Sequence, residues 1–259
     1  MSRDERPLEE GLIGDAAPAA GEADMPVSAA IGSGQLELLG LLPNSSNYTF
    51  LVRASAADGE QALAVYKPYR GESPLWDFPE GSLGRREVAA FVVARALGWP
   101  NVPPTLVRDG PEGPGSVQLF VPFEPSEHYF TLQERFADEF RAIAAFDLVV
   151  NNADRKGGHC LLGEDGRIWA IDHGVCFHEE PKLRTVIWEH IGEQIPQPLV
   201  DALGELGEHL SHRRRPHNDL AALLKQAEID ALVSRIDAVV ARPVYPAPEG
   251  ERPFPWPPV

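Results

Sequence analysis

Apolar positions along the first half of the chain fall into two rhythms. Residues 36–42, 48–54 and 62–66 are short apolar runs of strand length. The second and third are joined by Ala57-Asp58-Gly59, a turn signal. Between residues 83 and 97 the spacing becomes helical, with Val88, Phe91, Val92 and Leu97 on one face and Gly98 as the stop. Residues 105–108 and 116–121 return to strand character around a Gly/Pro-rich turn at 110–115. The order is three strands, a helix, two strands. After Pro122 helices dominate. Residues 136–150 place Phe140, Ile143, Ala144 and Leu148 on one face. Residues 160–162 and 168–171 are short strands flanking Asp165-Gly166, a hairpin turn. Residues 198–209 and 220–241 are helical, the second amphipathic through Leu223, Leu224, Ile229, Leu232, Ile236, Val239 and Val240.

The expected fold is α+β and two-lobed, with a small β-rich N-lobe over residues 31–122 and a mostly helical C-lobe over 123–242. Residues 1–30 mix Ala, Pro, Gly, Asp and Glu without periodicity and are expected to be a disordered acidic tail. Residues 243–259 hold seven prolines and read as an extended tail. Its Phe254 and Trp256 either pin that tail to a groove or stand exposed.

Composition narrows the partners. The chain has 259 residues and a net charge of −16. With both tails set aside, 30 acidic residues still face 20 basic ones. Nucleic acid is therefore an unsuitable partner, since phosphate backbones need clustered Lys and Arg. Firm docking on an anionic membrane is disfavoured for the same reason. No apolar run reaches the ~18–20 residues that span a bilayer, so no stable membrane insertion is expected. No basic head precedes an apolar run at the N-terminus, and a cytoplasmic location is expected. Two cysteines do not make a disulfide scaffold and read as small buried hydrophobes. Arg213-Arg214-Arg215, with His212 and His217 nearby, is the one basic cluster and reads as a solvated loop.

The chemistry concentrates between residues 151 and 174. Asn151-Asn152-Ala153-Asp154-Arg155 puts an acidic residue on a polar loop, and Ile171-Asp172-His173-Gly174 puts a second just after a strand. Phosphoryl transfer needs such a pair, one carboxylate to receive or orient the attacking hydroxyl and one to hold the Mg²⁺ that bridges the ATP phosphates. His159 follows Asp154 at the spacing where protein kinases place a metal-binding Asn, so it is a candidate ligand beside Asp172. Imidazole is softer than the ligands Mg²⁺ prefers and brings in Mn²⁺ as an alternative. Lys67 ends an apolar strand and is a candidate phosphate ligand, with Glu87 of the following helix as its partner. Ser45, Ser46 and Asn47 lie in the loop between the first two strands, where donors can meet phosphate. Arg155 is expected to stabilise the loop or the transferring phosphoryl group.

The runs Phe146-Asp147-Leu148-Val149-Val150-Asn151-Asn152-Ala153-Asp154-Arg155 and Ile171-Asp172-His173-Gly174-Val175-Cys176-Phe177 resemble the phosphatidylinositol 3-/4-kinase superfamily. The similarity is greatest to type II phosphatidylinositol 4-kinases and their bacterial relatives. It extends through Ser45-Ser46-Asn47-Tyr48, Lys67-Pro68, and Glu87 with Val102-Pro103-Pro104-Thr105. The resemblance implies an atypical kinase-like fold that uses ATP and Mg²⁺, with Asp154 catalytic and Asp172 binding metal. It implies residues 118–121, with Gln118, Phe120 and Val121, as the adenine-facing connector. The acceptor is left open among lipid, protein and small molecule. Two other readings compete. One is a nucleotide-binding pseudokinase acting as an interaction module, motivated by His159 and the glycine-poor loop. The other is a zinc protein using His159, Cys160, His173, Cys176 and His178.

Overall fold

The computed structural model describes residues 28–43, 47–248 and 252–259. Two compact units divide the chain. One comprises residues 1–88 with 103–122, the other 89–102 with 123–259.

The first unit is built on a five-stranded antiparallel sheet. A short helix α1 (Ala29–Ser33) precedes strands β1 (Gln35–Leu41), β2 (Phe50–Ser55) and β3 (Gln61–Pro68). Helix α2 (Leu83–Leu97) follows, then β4 (Thr105–Gly110) and β5 (Gly113–Leu119), in the sheet order β1-β2-β3-β5-β4. The β2–β3 turn closes where Gly59 adopts φ +94° and the Asp58 carboxylate accepts from the Glu60 N–H. Strands β4 and β5 continue up to Gly110 and Gly113, which face each other across Pro111-Glu112. They are longer than their apolar content predicts because ladder pairing continues through the glycines. On one face Leu36, Val52, Ala54, Ala64, Tyr66 and Val117 form the core with Ala30 and Ile31 of α1. Arg108 on β4 secures α1 by donating to the Ile31 and Gly34 carbonyls at 2.9 and 2.7 Å. Residues 29 and 30, counted in the N-terminal tail from the sequence, are therefore helical. Residues 1–27 of that tail lie outside the described residues.

Helix α2 starts on a carboxylate. Glu72 accepts from the Leu83 and Gly84 amides, supplying charge and acceptors where helix N–H groups have none. It ends at Gly98, φ +76°, as its sequence predicts.

The second unit is mostly helical. It contains α3 (Tyr129–Leu132), α4 (Ala137–Val150), the hairpin β6 (Cys160–Leu162) and β7 (Ile168–Ala170), then α5 (Gln197–Ser211), α6 (His217–Ala221) and α7 (Gln226–Ala241). Phe140, Ile143, Phe146 and Val149 of α4 pack with Leu203, Leu206 and Leu210 of α5 and with Ile229, Leu232 and Ile236 of α7. Gly207 lets α5 approach α7, since a Cβ there would sit 3.1 Å from the Ile236 side chain. The helix expected over 220–241 is two helices. The Glu228 carboxylate accepts from the Lys225 N–H at 2.8 Å and starts α7 afresh. Leu224 and Ile229 stay buried across the break, which keeps the apolar rhythm in phase and hides it from pattern reading. In the basic cluster, Arg213, Arg214 and Arg215 are exposed while His217 is buried on α6.

Among the described residues, the proline-rich stretch is irregular, bending at Phe254 and at Trp256-Pro257, and is anchored. Tyr245 is buried and donates to the Arg141 carbonyl at 2.8 Å, and the Gly192 N–H donates to the Tyr245 carbonyl. Phe254 and Trp256 are exposed, at 56% and 89%. Pro255 between them is buried.

Candidate active site

In the first unit, Lys67 and Glu87 meet. Pairing of β3 with β5 sets Lys67 opposite Ser116. Its Nζ lies 2.5 Å from Glu87 Oε1, and the Ser116 hydroxyl donates to the other Glu87 oxygen at 3.2 Å. The Glu87 side chain is 5% exposed and that of Lys67 20%. A carboxylate buried this deeply is tolerable because both oxygens are engaged. The ammonium reaches it from the wetter side.

Gln118 is held inside the sheet, buried, its amide donating to the Thr105 hydroxyl at 2.8 Å. Phe120 and Val121 follow β5 and are half-buried, the Phe120 N–H donating to the Leu63 carbonyl at 3.0 Å. The Asn47 side chain accepts from the Ser73 N–H at 2.7 Å, which ties the β1–β2 connection to residues 71–73. Ser45 and Ser46 lie outside the described residues.

In the second unit, one buried guanidinium organises both acidic segments. Helix α4 ends at Asn151, which takes left-handed φ 55°, and the chain then enters the loop carrying Asp154. Arg155 is fully buried. Its Nε and one Nη form a fork on Asp147 of α4 at 2.9 and 3.0 Å. The other Nη donates to the Ile171 carbonyl at 2.8 Å and the His159 carbonyl at 3.3 Å. The remaining proton points at His173 Nε2, 2.6 Å away. A guanidinium only donates, so that ring nitrogen accepts. All five N–H groups of Arg155 are thereby used inside the protein. The catalytic role expected for Arg155 is corrected to a positioning one, because the side chain has neither exposure nor a spare donor with which to touch a substrate. Burial alone would lower its pKa; the Asp147 carboxylate more than offsets this and keeps it charged.

Asp147, Asn152 and His173 complete this frame; the first two were not singled out as site residues from the sequence, and His173 entered only as a candidate zinc ligand. Asn152 donates to Asp147 at 2.9 Å and accepts from the Asp154 N–H at 3.0 Å, which fixes the loop at the residue that carries the chemistry. His173 packs edge-on against Phe146 with ring centroids 5.5 Å apart. The available signal was Asp147 itself, an acid set within an apolar helical face eight residues before Arg155.

Asp154 and Asp172 are brought within each other's field. Burial raises the Asp154 pKa, Lys156 opposes this, and the Asp172 charge adds to it. Asp172 sits at φ 60° with its side chain 44% exposed. His159 Nε2 lies 3.2 Å from an Asp172 oxygen, while its Nδ1 accepts from the Lys156 N–H at 3.4 Å. With Nδ1 accepting, the proton resides on Nε2 and is donated to Asp172. The contact His159 makes here is thus a hydrogen bond that orients Asp172, the other residue expected to bind metal.

The histidines and cysteines of the zinc reading do not assemble. Among the described residues, no group of three or more His, Cys, Asp or Glu side chains is placed to hold a metal ion. Cys160 and Cys176 are buried thiols not joined in a disulfide, and burial pushes the Cys160 thiol up to about 12. What stands beside the loop is a pair of carboxylates in mutual repulsion. That donor set suits a hard cation whose remaining ligands are phosphate oxygens and water.

Comparison with known proteins identifies the family. The family described as "Phosphatidylinositol 3- and 4-kinase" matches residues 105–232. A curated relative, "Protein Rv2133c" of Mycobacterium tuberculosis, is 38% identical over 88% of this chain and 94% of its own length. The "Phosphatidylinositol 4-kinase gamma 4" of Oryza sativa is 31% identical over 51% of this chain and 30% of its own. The chain belongs to the phosphatidylinositol 3-/4-kinase-like superfamily. Two solved structures share the fold. The Helicobacter pylori proinflammatory kinase CtkA has a TM-score of 0.50 at 11% identity, covering 82% of this chain and 94% of that one. Hydra Fam20, solved with sugar, has 0.51 at 14%, covering 82% and 86%. The α+β kinase-like fold expected from the sequence is thus established. No helix among the described residues is long and apolar enough to cross a membrane.

Proposed function

We propose that this member of the superfamily is an ATP-dependent phosphotransferase that moves the γ-phosphoryl group of Mg-ATP to an alcohol hydroxyl. The observation that carries this reading is the Arg155 guanidinium, which binds the Asp154 loop, the Ile171 carbonyl and His173 at once. It ties together the segments that carry the two carboxylates, and such preorganisation is what phosphoryl transfer demands of a protein. Asp154, its pKa raised, is a stronger base than an ordinary carboxylate and accepts the acceptor's hydroxyl proton. The acceptor oxygen bonds to the γ-phosphorus as the bond to the β–γ bridging oxygen breaks, and ADP leaves. Asp172, oriented by His159, would hold the Mg²⁺ of the nucleotide, and that cation would screen phosphate charge. Lys67, held by Glu87, neutralises the phosphates. With His159 donating rather than ligating, the reading favours one protein-bound metal over two.

The test is transfer of labelled γ-phosphate by wild type, Asp154→Ala and Asp172→Ala. Asp154→Ala should bind Mg-ATP normally and lose at least a hundredfold in turnover, whereas Asp172→Ala should lose metal-dependent binding. Tight Mg-ATP binding with no turnover in wild type, against lipid, protein and small-molecule alcohols, would favour the nucleotide-binding interaction module instead.

A further inference from the structure

Residues 252–259 run across the loop that carries Asp154. The Gly157 N–H donates to the Pro258 carbonyl at 2.7 Å. Five residues earlier, the Pro253 carbonyl accepts from the Thr185 N–H at 3.1 Å and from the Trp188 indole at 3.4 Å. Thr185 is itself bridged to Arg155, the residue after Asp154. The segment therefore lies along a strip made of residues 155–158 and 184–188, and Pro255, between its two bonded ends, is buried. Gly157 has no room for a side chain. A Cβ would stand 3.0 Å from Phe130 and 3.4 Å from the Pro258 oxygen.

The two sides are chemically complementary. The strip presents N–H donors, and a chain with proline at 253, 255, 257 and 258 presents carbonyl acceptors with few donors of its own. Prolines also hold the chain extended before it docks, which lowers the entropy lost on binding. Recognition runs through the main chain at both ends, and that suits an extended polypeptide of varied sequence. One property sets the resident segment apart from an acceptor: Arg252-Pro253-Phe254-Pro255-Trp256-Pro257-Pro258-Val259 contains no Ser, Thr or Tyr. It is bonded to Gly157, three residues after Asp154 in the same loop, and has no hydroxyl to offer.

We infer that this strip is the dock for an extended polypeptide acceptor, and that residues 252–259 fill it as an intramolecular pseudosubstrate. The inference rests on the phosphotransferase reading and adds a substrate class and a regulatory contact to it. Release of the segment opens the strip, and an acceptor chain running along it carries its hydroxyl past Asp154.

The experiment uses three proteins: the full chain, the chain cut after Pro248, and the full chain with Pro255→Asp, which puts a charge into the buried seat and guards against misfolding of the shortened form. The probes are a synthetic peptide of residues 252–259 and three copies of it with serine at 254, 256 or 259, offered with labelled Mg-ATP. The shortened chain and Pro255→Asp should bind the parent peptide at least tenfold more tightly than the full chain does. At least one serine peptide should be labelled by them, and the full chain should label it at least tenfold more slowly. Equal peptide affinity across the three proteins overturns the dock. Peptide binding with Mg-ATP turnover on other alcohols, but with no serine peptide labelled, overturns its role as an acceptor site. Peptide capture without any nucleotide binding overturns the phosphotransferase reading while leaving the dock standing.

Discussion

Arg155→Met is the most revealing single change to this protein. The substitution keeps an unbranched apolar stem and removes the guanidinium. Asp147 is then left as a charge inside the second unit, fully buried and with only Asn152 to answer it. Removing one partner of a buried pair costs about 3–5 kcal/mol. The Ile171 carbonyl loses its Arg155 donor as well, while the His159 carbonyl keeps the Ile171 N–H, and a buried acceptor left unmade costs about 1–3 kcal/mol. Solvent entry and relaxation recover part of this, so a loss of about 4 kcal/mol is a reasonable expectation, a large share of the ~5–15 kcal/mol available to a folded domain. Urea unfolding followed by far-ultraviolet circular dichroism reads the change directly. At about 2–4 °C per kcal/mol for a protein of this size, the melting temperature should fall by roughly 8–16 °C. The double variant with Asp147→Leu should recover much of the loss, because no charge is then buried. If Arg155→Met is as stable as wild type and only turnover is lost, the guanidinium works on substrate and the positioning role is wrong.

Lys67→Met strands the Glu87 carboxylate. Stability should fall by about 2–3 kcal/mol, less than for a fully enclosed pair because the lysine is partly wet, and calorimetry with Mg-ATP should show weakened binding. A variant that matches wild type in both would remove Lys67 from the site. Asp154 gives a pH test. Its folded pKa lies above that of the unfolded chain, so the fold favours the protonated form and loses stability as pH rises through that folded value. Asp154→Asn should therefore melt higher than wild type at pH 7, with the gain vanishing below about pH 4, the ordinary aspartate range; a lower melting temperature at pH 7 contradicts the burial argument. The Cys160 thiol, pushed up to about 12, should not react with an aromatic disulfide reagent at pH 8 until the protein unfolds. Rapid labelling of Cys160 in the native state would show that the loop behind it opens.

Much of this architecture was legible because local signals and tertiary environment agree. Helix α2 runs from residue 83 to 97 as its pattern predicts, since Gly98 ends it wherever it packs. Lys67 and Glu87 were paired from the order strand, lysine, helix, glutamate, and the sheet register makes the pairing real. The failures share a cause. Arg155 reads as a loop charge because its partner, Asp147, lies on another element and looks from the sequence like an interruption of an apolar face. His159 reads as a ligand by its spacing, but which nitrogen is free depends on a backbone N–H at Lys156 that no spacing rule contains. The break between α6 and α7 leaves no trace in the apolar rhythm, since both helices bury leucines and isoleucines in the same core. The proline-rich segment reads as an extended tail, and its anchoring is hard to see in the sequence because two of its donors are the main-chain N–H groups of Gly157 and Thr185, which carry no residue signature.

The central claim is that Asp172 holds the metal of a bound nucleotide, and thermal unfolding of wild type and Asp172→Ala with and without millimolar Mg-ATP tests it most directly. A ligand that binds only the folded state stabilises it by about 2.7 kcal/mol at a hundred times its dissociation constant, which is a shift of several degrees here. The account predicts such a shift for wild type, dependent on Mg²⁺ and absent in Asp172→Ala. No shift in wild type, or the same shift in both proteins, contradicts it.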